Sequence, residues 1–159
     1  MGKKKTEAVS GLKHFISPIA KPLFDGKLLE RSVKLVGLGT EAEAVAKKST
    51  SKVRYIRRGV AEVTKALRKQ ERGIVLLASD VFPINILAHL PILCEEKNIV
   101  YGYVTDKMSL GKACKSARPT SVIMVTAPQK DDGKKDDGKF FELFQKVESA
   151  ARVANPFFD

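Results

Sequence analysis

Side chains able to do covalent or acid–base chemistry are thinly spread along these 159 residues. Two histidines, His14 and His89, offer near-neutral acid–base groups. His14 sits in a Lys-rich N-terminal arm and His89 in an apolar, proline-containing segment, where a structural role accounts for it. Asp80 follows the apolar run Ile74-Val75-Leu76-Leu77-Ala78, the end of a strand where open α/β sheets carry functional groups. It equally fits an N-cap toward a helix opening at Pro83. Cys94 and Cys114 occupy separate apolar segments with neither CxxC nor Cys/His ligand spacing, which reads as buried thiols in a reducing compartment. Gly133, Gly138 and Lys139 satisfy GxxxxGK, but Phe140 stands where a magnesium-binding hydroxyl belongs and four aspartates flank the loop. Gly37-Leu38-Gly39 follows a helical segment rather than a strand, so it is no dinucleotide fingerprint. Without paired carboxylates, a Ser/His/Asp set or a metal cluster, the residues argue against an enzyme, a metal and a small-molecule cofactor. An α/β ligand-binding domain or enzyme using Asp80 is the rival reading from another class, and a pure protein scaffold is a third.

The chemistry that does concentrate is cationic. Between Arg57 and Arg72, at ~100° per residue, Arg58, Glu62, Lys65 and Lys69 fall on one helical face, with Val60, Val63 and Leu67 opposite. Gly59 at the helix entrance would let a sugar–phosphate backbone approach the helix N-terminus, where the dipole favours anions. Glu62 is the odd member. A carboxylate there either accepts hydrogen bonds from base amines or forms pairs with Lys65 and its neighbours along the helix.

The charge of the whole chain agrees with an anionic partner. Lys and Arg exceed Asp and Glu by 29 to 18, and residues 1–72 hold 18 basic against 7 acidic side chains, so the entire surplus lies in the first half. Nucleic acid, an anionic membrane and an acidic protein all fit such an excess. No stretch approaches the ~18 apolar residues of a spanning helix, the N-terminus lacks a signal-type apolar run, and Gly2 with Thr6 is only a loose myristoylation match.

The elements that must position these groups alternate between helix and strand. Residues 1–17 read as a basic flexible arm, punctuated by Pro18 and Pro22. An amphipathic helix carries Leu28, Leu29, Val33 and Val36, weakened or kinked at Gly37 and Gly39, before a basic loop at 47–52. Val53–Ile56 is a short strand, the basic helix runs to about Gln70, and Gly73 closes it. Buried strands are expected at 74–78, 99–104 and 122–125. Between them lie a helix over 83–97 kinked at Pro91 and a short helix at 110–114. The domain over 18–127 is followed by a low-complexity linker, 128–138, and a C-terminal helix and tail, 139–159. This order predicts an α/β protein, a three-layer α-β-α sandwich around a small mixed sheet.

Five segments then line up in order with something known. They are Arg58-Gly59-Val60-Ala61-Glu62-Val63-Thr64-Lys65-Ala66-Leu67, Gly73 to Val81, Ala88 to Asn98, Leu110-Gly111-Lys112-Ala113-Cys114 and Arg118-Pro119-Thr120-Ser121-Val122. Together they resemble the kink-turn RNA-binding family of ribosomal and small nucleolar ribonucleoprotein core proteins, across about residues 20–127. The helix entry, Leu67-Arg68-Lys69 and the Arg-Pro-Thr-Ser-Val strand entry are most similar to its eukaryotic H/ACA branch. The resemblance implies an α-β-α sandwich, no catalysis by the subunit, and a nuclear, nucleolar particle. It implies as partners H/ACA guide RNA, a pseudouridine synthase and a small adaptor subunit. Carried over, its RNA surface comprises Arg57, Arg58, Gly59, Glu62, Lys65, Arg68 and Lys69, with the carboxylate recognising sheared G·A pairs. A second segment, Ser116, Ala117, Arg118 and Pro119, would contact an extruded nucleotide; read alone, Arg118 is a solvated loop arginine.

One departure matters. Kink-turn readers of this family usually carry Asn directly before the motif glutamate, and this chain has Ala61. Losing that amide is expected to lower discrimination for an isolated kink-turn by about 1–3 kcal/mol. The H/ACA branch also lacks the Asn, so Ala61 favours that branch over a ribosomal or C/D-box binder. For a protein partner, Ile84–Leu93 is a candidate surface, with core packing as its competing explanation.

Overall fold

The computed structural model describes residues 23–24, 26–48, 54–80, 87–104, 106–127 and 139–155. Outside them lie the basic arm with Pro18 and Pro22, residues 49–53 of the expected loop and strand, the Pro83 turn with Ile84 and Ile86, the 128–138 linker, and the tail from 156.

Continuous apolar runs, buried on both faces, build three of the four strands of the sheet. The strands β1 (Ile56–Arg58), β2 (Gly73–Ala78), β3 (Val100–Val104) and β4 (Val122–Thr126) lie in the order β1-β4-β2-β3. β2 and β3 are parallel, whereas β4 runs antiparallel to both β1 and β2, so the sheet is mixed. Successive strand residues face opposite sides. Ile74, Leu76, Val100, Ile123 and Val125 enter a core beneath the helices α1 (Gly26–Lys48), α4 (Lys107–Ala113) and α5 (Lys139–Ala154). Val75, Leu77, Tyr101, Tyr103, Val122 and Met124 enter the other core, beneath α2 (Val60–Arg68) and α3 (His89–Glu96). The result is the three-layer α-β-α sandwich, and none of its described helices is long and apolar enough to cross a membrane.

Four local expectations are corrected. α1 runs unbroken through Gly37 and Gly39 and takes Lys47 and Lys48 into its last turn. Gly39 is there for closeness, since a Cβ on it would lie 2.8 Å from Ile56 Cδ1 and 3.3 Å from Phe140 Cε2. The first strand starts later than Val53, so Arg57 and Arg58 belong to it. α2 stops at Arg68, and the left-handed residue that ends it is Gln70 (φ 56°) rather than Gly73. Gln70 N–H donates to Leu67 O and Glu71 N–H to Ala66 O, the paired bonds of a Schellman stop. Gly73 instead opens β2, where a Cβ would overlap the Val125 carbonyl across the ladder. Finally, Pro91 does not divide α3. It is the third residue of a helix starting at His89, where its missing N–H would have had no intrahelical partner.

Candidate nucleic-acid interface

The site begins where β1 hands over to α2. Arg57 and Arg58 alternate across the strand, opposite Met124 and Ile123 of β4. Gly59 then turns the chain with φ 88° and ψ 156°, a region essentially reserved for glycine. A Cβ there would meet nothing within 4 Å, so conformation rather than crowding demands the glycine. Gly59 N–H donates to Val122 O at 3.1 Å, and its own carbonyl accepts from Val63 N–H at 3.1 Å. No side chain caps this helix start.

α2 divides as its sequence pattern requires. Val63, Ala66 and Leu67 are buried against the sheet, while Glu62, Lys65, Arg68 and Lys69 are exposed. Among the described residues no ion pair occupies Lys65, Arg68, Lys69 or Arg118. Glu62 pairs not with Lys65 but with Arg54, whose Nη1 lies 3.6 Å from Glu62 Oε2.

The second segment is held from beneath. α4 ends in another left-handed residue, Lys115 (φ 55°), and Ser116 N–H donates back to Gly111 O at 3.1 Å. Ser116 Oγ accepts the Arg118 N–H at 3.2 Å. Gly111 is buried directly under this loop, and a Cβ on it would overlap the Arg118 carbonyl. Thr120 N–H closes the loop onto Lys107 O at 3.1 Å. Ala117, Arg118 and Pro119 are left exposed, with Ser116 half-buried.

These two segments meet. Arg58 Nη2 donates to the buried Thr120 Oγ1 at 3.2 Å, and the Gly59–Val122 hydrogen bond ties the same two stretches together through the backbone. Beneath them, burial pushes the Cys114 thiol up from its ordinary value and the Arg58 cation pulls it partly back. Arg57 is turned the other way. Its Nη2 lies 3.4 Å from Glu71, and its Nε is buried without a partner among the described residues. It braces the end of α2 rather than joining the exposed cations.

Sequence reasoning passed over three groups. Thr120, inside a quoted motif, joins the two segments. Arg54 bridges Glu62 to Glu43, a nearly buried acid of α1 whose Oε2 accepts the Ile56 N–H at 3.3 Å. The signal for Glu43 was an acid on the inward face of an amphipathic helix; for Arg54 there was none. Asp80, the rival catalytic candidate, accepts the Lys107 N–H at 2.9 Å and so supports the start of α4; the helix opening at Pro83, its expected capping target, lies outside the described residues. Exposed cations, one carboxylate acceptor and a tight backbone turn are equipment for binding a polyanion with hydrogen-bonding bases.

Comparison with known proteins agrees with that chemistry. Residues 40–134 match the model of the Ribosomal protein L7Ae/L30e/S12e/Gadd45 family. The H/ACA ribonucleoprotein complex subunit 2-like protein of Xenopus tropicalis is 42% identical over 111 residues, 70% of this chain and 67% of that protein. The H/ACA ribonucleoprotein complex subunit 2 of Bos taurus is 42% identical over 110 residues, 69% of this chain and 65% of that protein. The match thus spans about two thirds of these relatives' own length. Among solved structures, the Giardia lamblia 15.5kD RNA binding protein superposes with a TM-score of 0.70 at 26% identity, covering 87% of this chain and 99% of that one. The chain described here belongs to the ribosomal protein L7Ae/L30e/S12e/Gadd45 family.

Proposed function

We propose that this chain is a non-catalytic, RNA-binding core subunit of an H/ACA ribonucleoprotein, holding guide RNA while a pseudouridine synthase acts on ribosomal or small nuclear RNA. The synthase and a small adaptor subunit are its protein partners, and the nucleolus is its place of work. The observation that carries the RNA-binding part is the junction of two segments about sixty residues apart, joined by Arg58–Thr120 and Gly59–Val122 and flanked by Lys65, Arg68, Lys69 and Arg118. The relatives named as H/ACA subunits supply the particle. Ala61 supports it too, because a binder acting inside a particle needs less autonomous discrimination than one acting alone.

The likeness to a 15.5kD RNA binding protein favours one alternative, a ribosomal or C/D-box kink-turn binder. Filter binding separates the two. The H/ACA reading predicts weak, poorly selective binding to an isolated kink-turn and tight binding to an H/ACA hairpin once the partner proteins are present. Tight, partner-free kink-turn binding would transfer the assignment to the alternative. Sequencing the RNAs crosslinked to the protein in its own cells gives an independent test: box H/ACA RNAs are expected to dominate.

A further inference from the structure

Arg54 lies outside both predicted RNA segments, yet it is the cation that pairs with Glu62 among the described residues. Its backbone carbonyl accepts the hydroxyl of Thr126 in β4 at 3.1 Å, which fixes where the side chain starts. Its Nε faces Glu43 Oε1 at 3.8 Å. Glu43 is itself held by the Ile56 N–H and by Lys47 Nζ at 3.3 Å, so it does not follow Arg54 about. The free end of the guanidinium reaches the half-exposed Glu62. An acid of α1, a bridging arginine ahead of β1 and a solvent-facing acid in the first turn of α2 therefore form one chain of ion pairs.

We infer that Arg54 is a positioning residue for base recognition, holding the Glu62 carboxylate in its aim while phosphates gather on the neighbouring Lys65 and Lys69. This rests on the RNA-binding reading of Glu62. An acid inside a phosphate-binding stripe is repelled by every phosphate the stripe attracts. A neighbouring guanidinium offsets that repulsion, and its two-sided anchorage restricts the orientations Glu62 can take. Arg54 acts through Glu62 and not as another phosphate contact, because its charge is already engaged by two carboxylates.

The test uses the full chain with its partner proteins present and two synthetic RNAs, an H/ACA hairpin carrying tandem G·A pairs and the same RNA with those pairs replaced by Watson–Crick pairs. Affinities are measured over a salt series for the wild type, Arg54→Ala, Arg54→Lys, Glu62→Gln and the double variant Arg54→Ala/Glu62→Gln. Arg54→Ala is expected to weaken binding of the G·A RNA by about 2- to 5-fold, the scale of a partly exposed ion pair, and to leave the control RNA unchanged. The loss should vanish in the Glu62→Gln background, as coupled residues require. Arg54→Lys should recover part of it, and the slope of affinity against salt should stay that of the wild type. An equal loss on both RNAs with a shallower salt slope would make Arg54 a plain phosphate contact and overturn the inference. So would an unaffected Arg54→Ala beside an impaired Glu62→Gln. A Glu62→Gln chain that binds both RNAs like the wild type overturns the base-recognition reading beneath it.

Discussion

The two segments of the proposed interface are brought together by different physical means. The β1–α2 junction is set by backbone conformation: a glycine-only turn at Gly59, with open space around it, aims a helix whose exposed face is charged. The 116–119 loop is set by packing, draped over Gly111 and closed by Thr120, and carries one exposed arginine, Arg118. The first segment is therefore suited to supplying affinity through charge and the second to supplying shape. Placing both within reach of one ligand takes a single side-chain bond, Arg58 to Thr120, and one backbone bond, Gly59 to Val122.

The largest effect should come from reversing the charges of the first segment. Lys65→Glu with Lys69→Glu is expected to lower RNA affinity on the order of 100-fold at physiological salt and to flatten the salt slope by about two units. Arg118→Ala should change the slope by about one unit or less. Filter binding across a salt series measures both. An unchanged affinity in the double variant would remove α2 from the interface.

Next in size is the contrast between the two glycines. Gly59→Ala forces a side chain into a backbone region it avoids, for about 1–3 kcal/mol in urea unfolding. Gly111→Ala meets the Arg118 carbonyl and, behind it, Pro119 Cα, backbone atoms that cannot swing aside as a side-chain tip would, and this outweighs the helix preference of alanine of about 1 kcal/mol. Its cost should be the larger of the two, and RNA affinity should fall with the displaced loop. If Gly111→Ala destabilises less than Gly59→Ala, the division into conformation and packing fails.

The layers beneath the segments also differ in their response to alkali. Under α2 and α3, burial pushes the Cys94 thiol from 9.0 up to about 12, with Glu95 adding to it. Burial likewise pushes Tyr103 from 10.0 up to about 12, with Cys94 adding to it. Both groups are neutral when protonated, and the unfolded chain releases those protons first. Native stability is therefore whole below pH 9 and falls as pH rises toward 12. Comparing slopes rather than absolute values, Cys94→Ala should remove about 1 kcal/mol of the loss seen at pH 10. Cys114→Ala, under the second segment, should flatten the slope less, because Arg58 opposes the shift there. Urea midpoints from pH 8 to pH 10.5 decide it.

What could be read from the chain alone follows the same division. Periodicity exposed the sandwich, the buried strands and the cationic face of α2, because apolar burial and helical spacing are local properties of a sequence. The resemblance of ordered motifs supplied the second segment, which charge and spacing alone would have left as a solvated loop. Bonds made between distant residues stayed hidden. Arg57 and Arg58 are adjacent and identical in type, and only the pleat of β1 sends one to Glu71 and the other to Thr120. Gly39 and Gly73 looked like breaks because glycine usually punctuates; in both cases the neighbour that needed the space comes from elsewhere in the chain.

The smallest expected effect tests two of the three left-handed helix stops among the described residues, the ones that border the two segments. Gln70 ends α2 and Lys115 ends α4 in the same left-handed conformation, an uncommon one for residues with a Cβ. Replacing Gln70 with glycine relieves that strain at an exposed position, and the greater freedom of glycine in the unfolded chain takes back part of the gain. A net stabilisation of about 0.5–1 kcal/mol in urea unfolding should remain, with RNA affinity unaltered. Lys115→Gly gains the same relief but loses the exposed pair between Lys115 Nζ and Glu41 at 3.1 Å, worth about 0–1 kcal/mol. It also loosens the entry to a loop whose shape depends on how it is laid over Gly111. Its stability should change little and its RNA affinity should fall a few-fold, in contrast to Gln70→Gly. Equal stabilisation in the two variants, with affinity unchanged in both, would mean that the second segment owes nothing to its entry and is held by Thr120 alone.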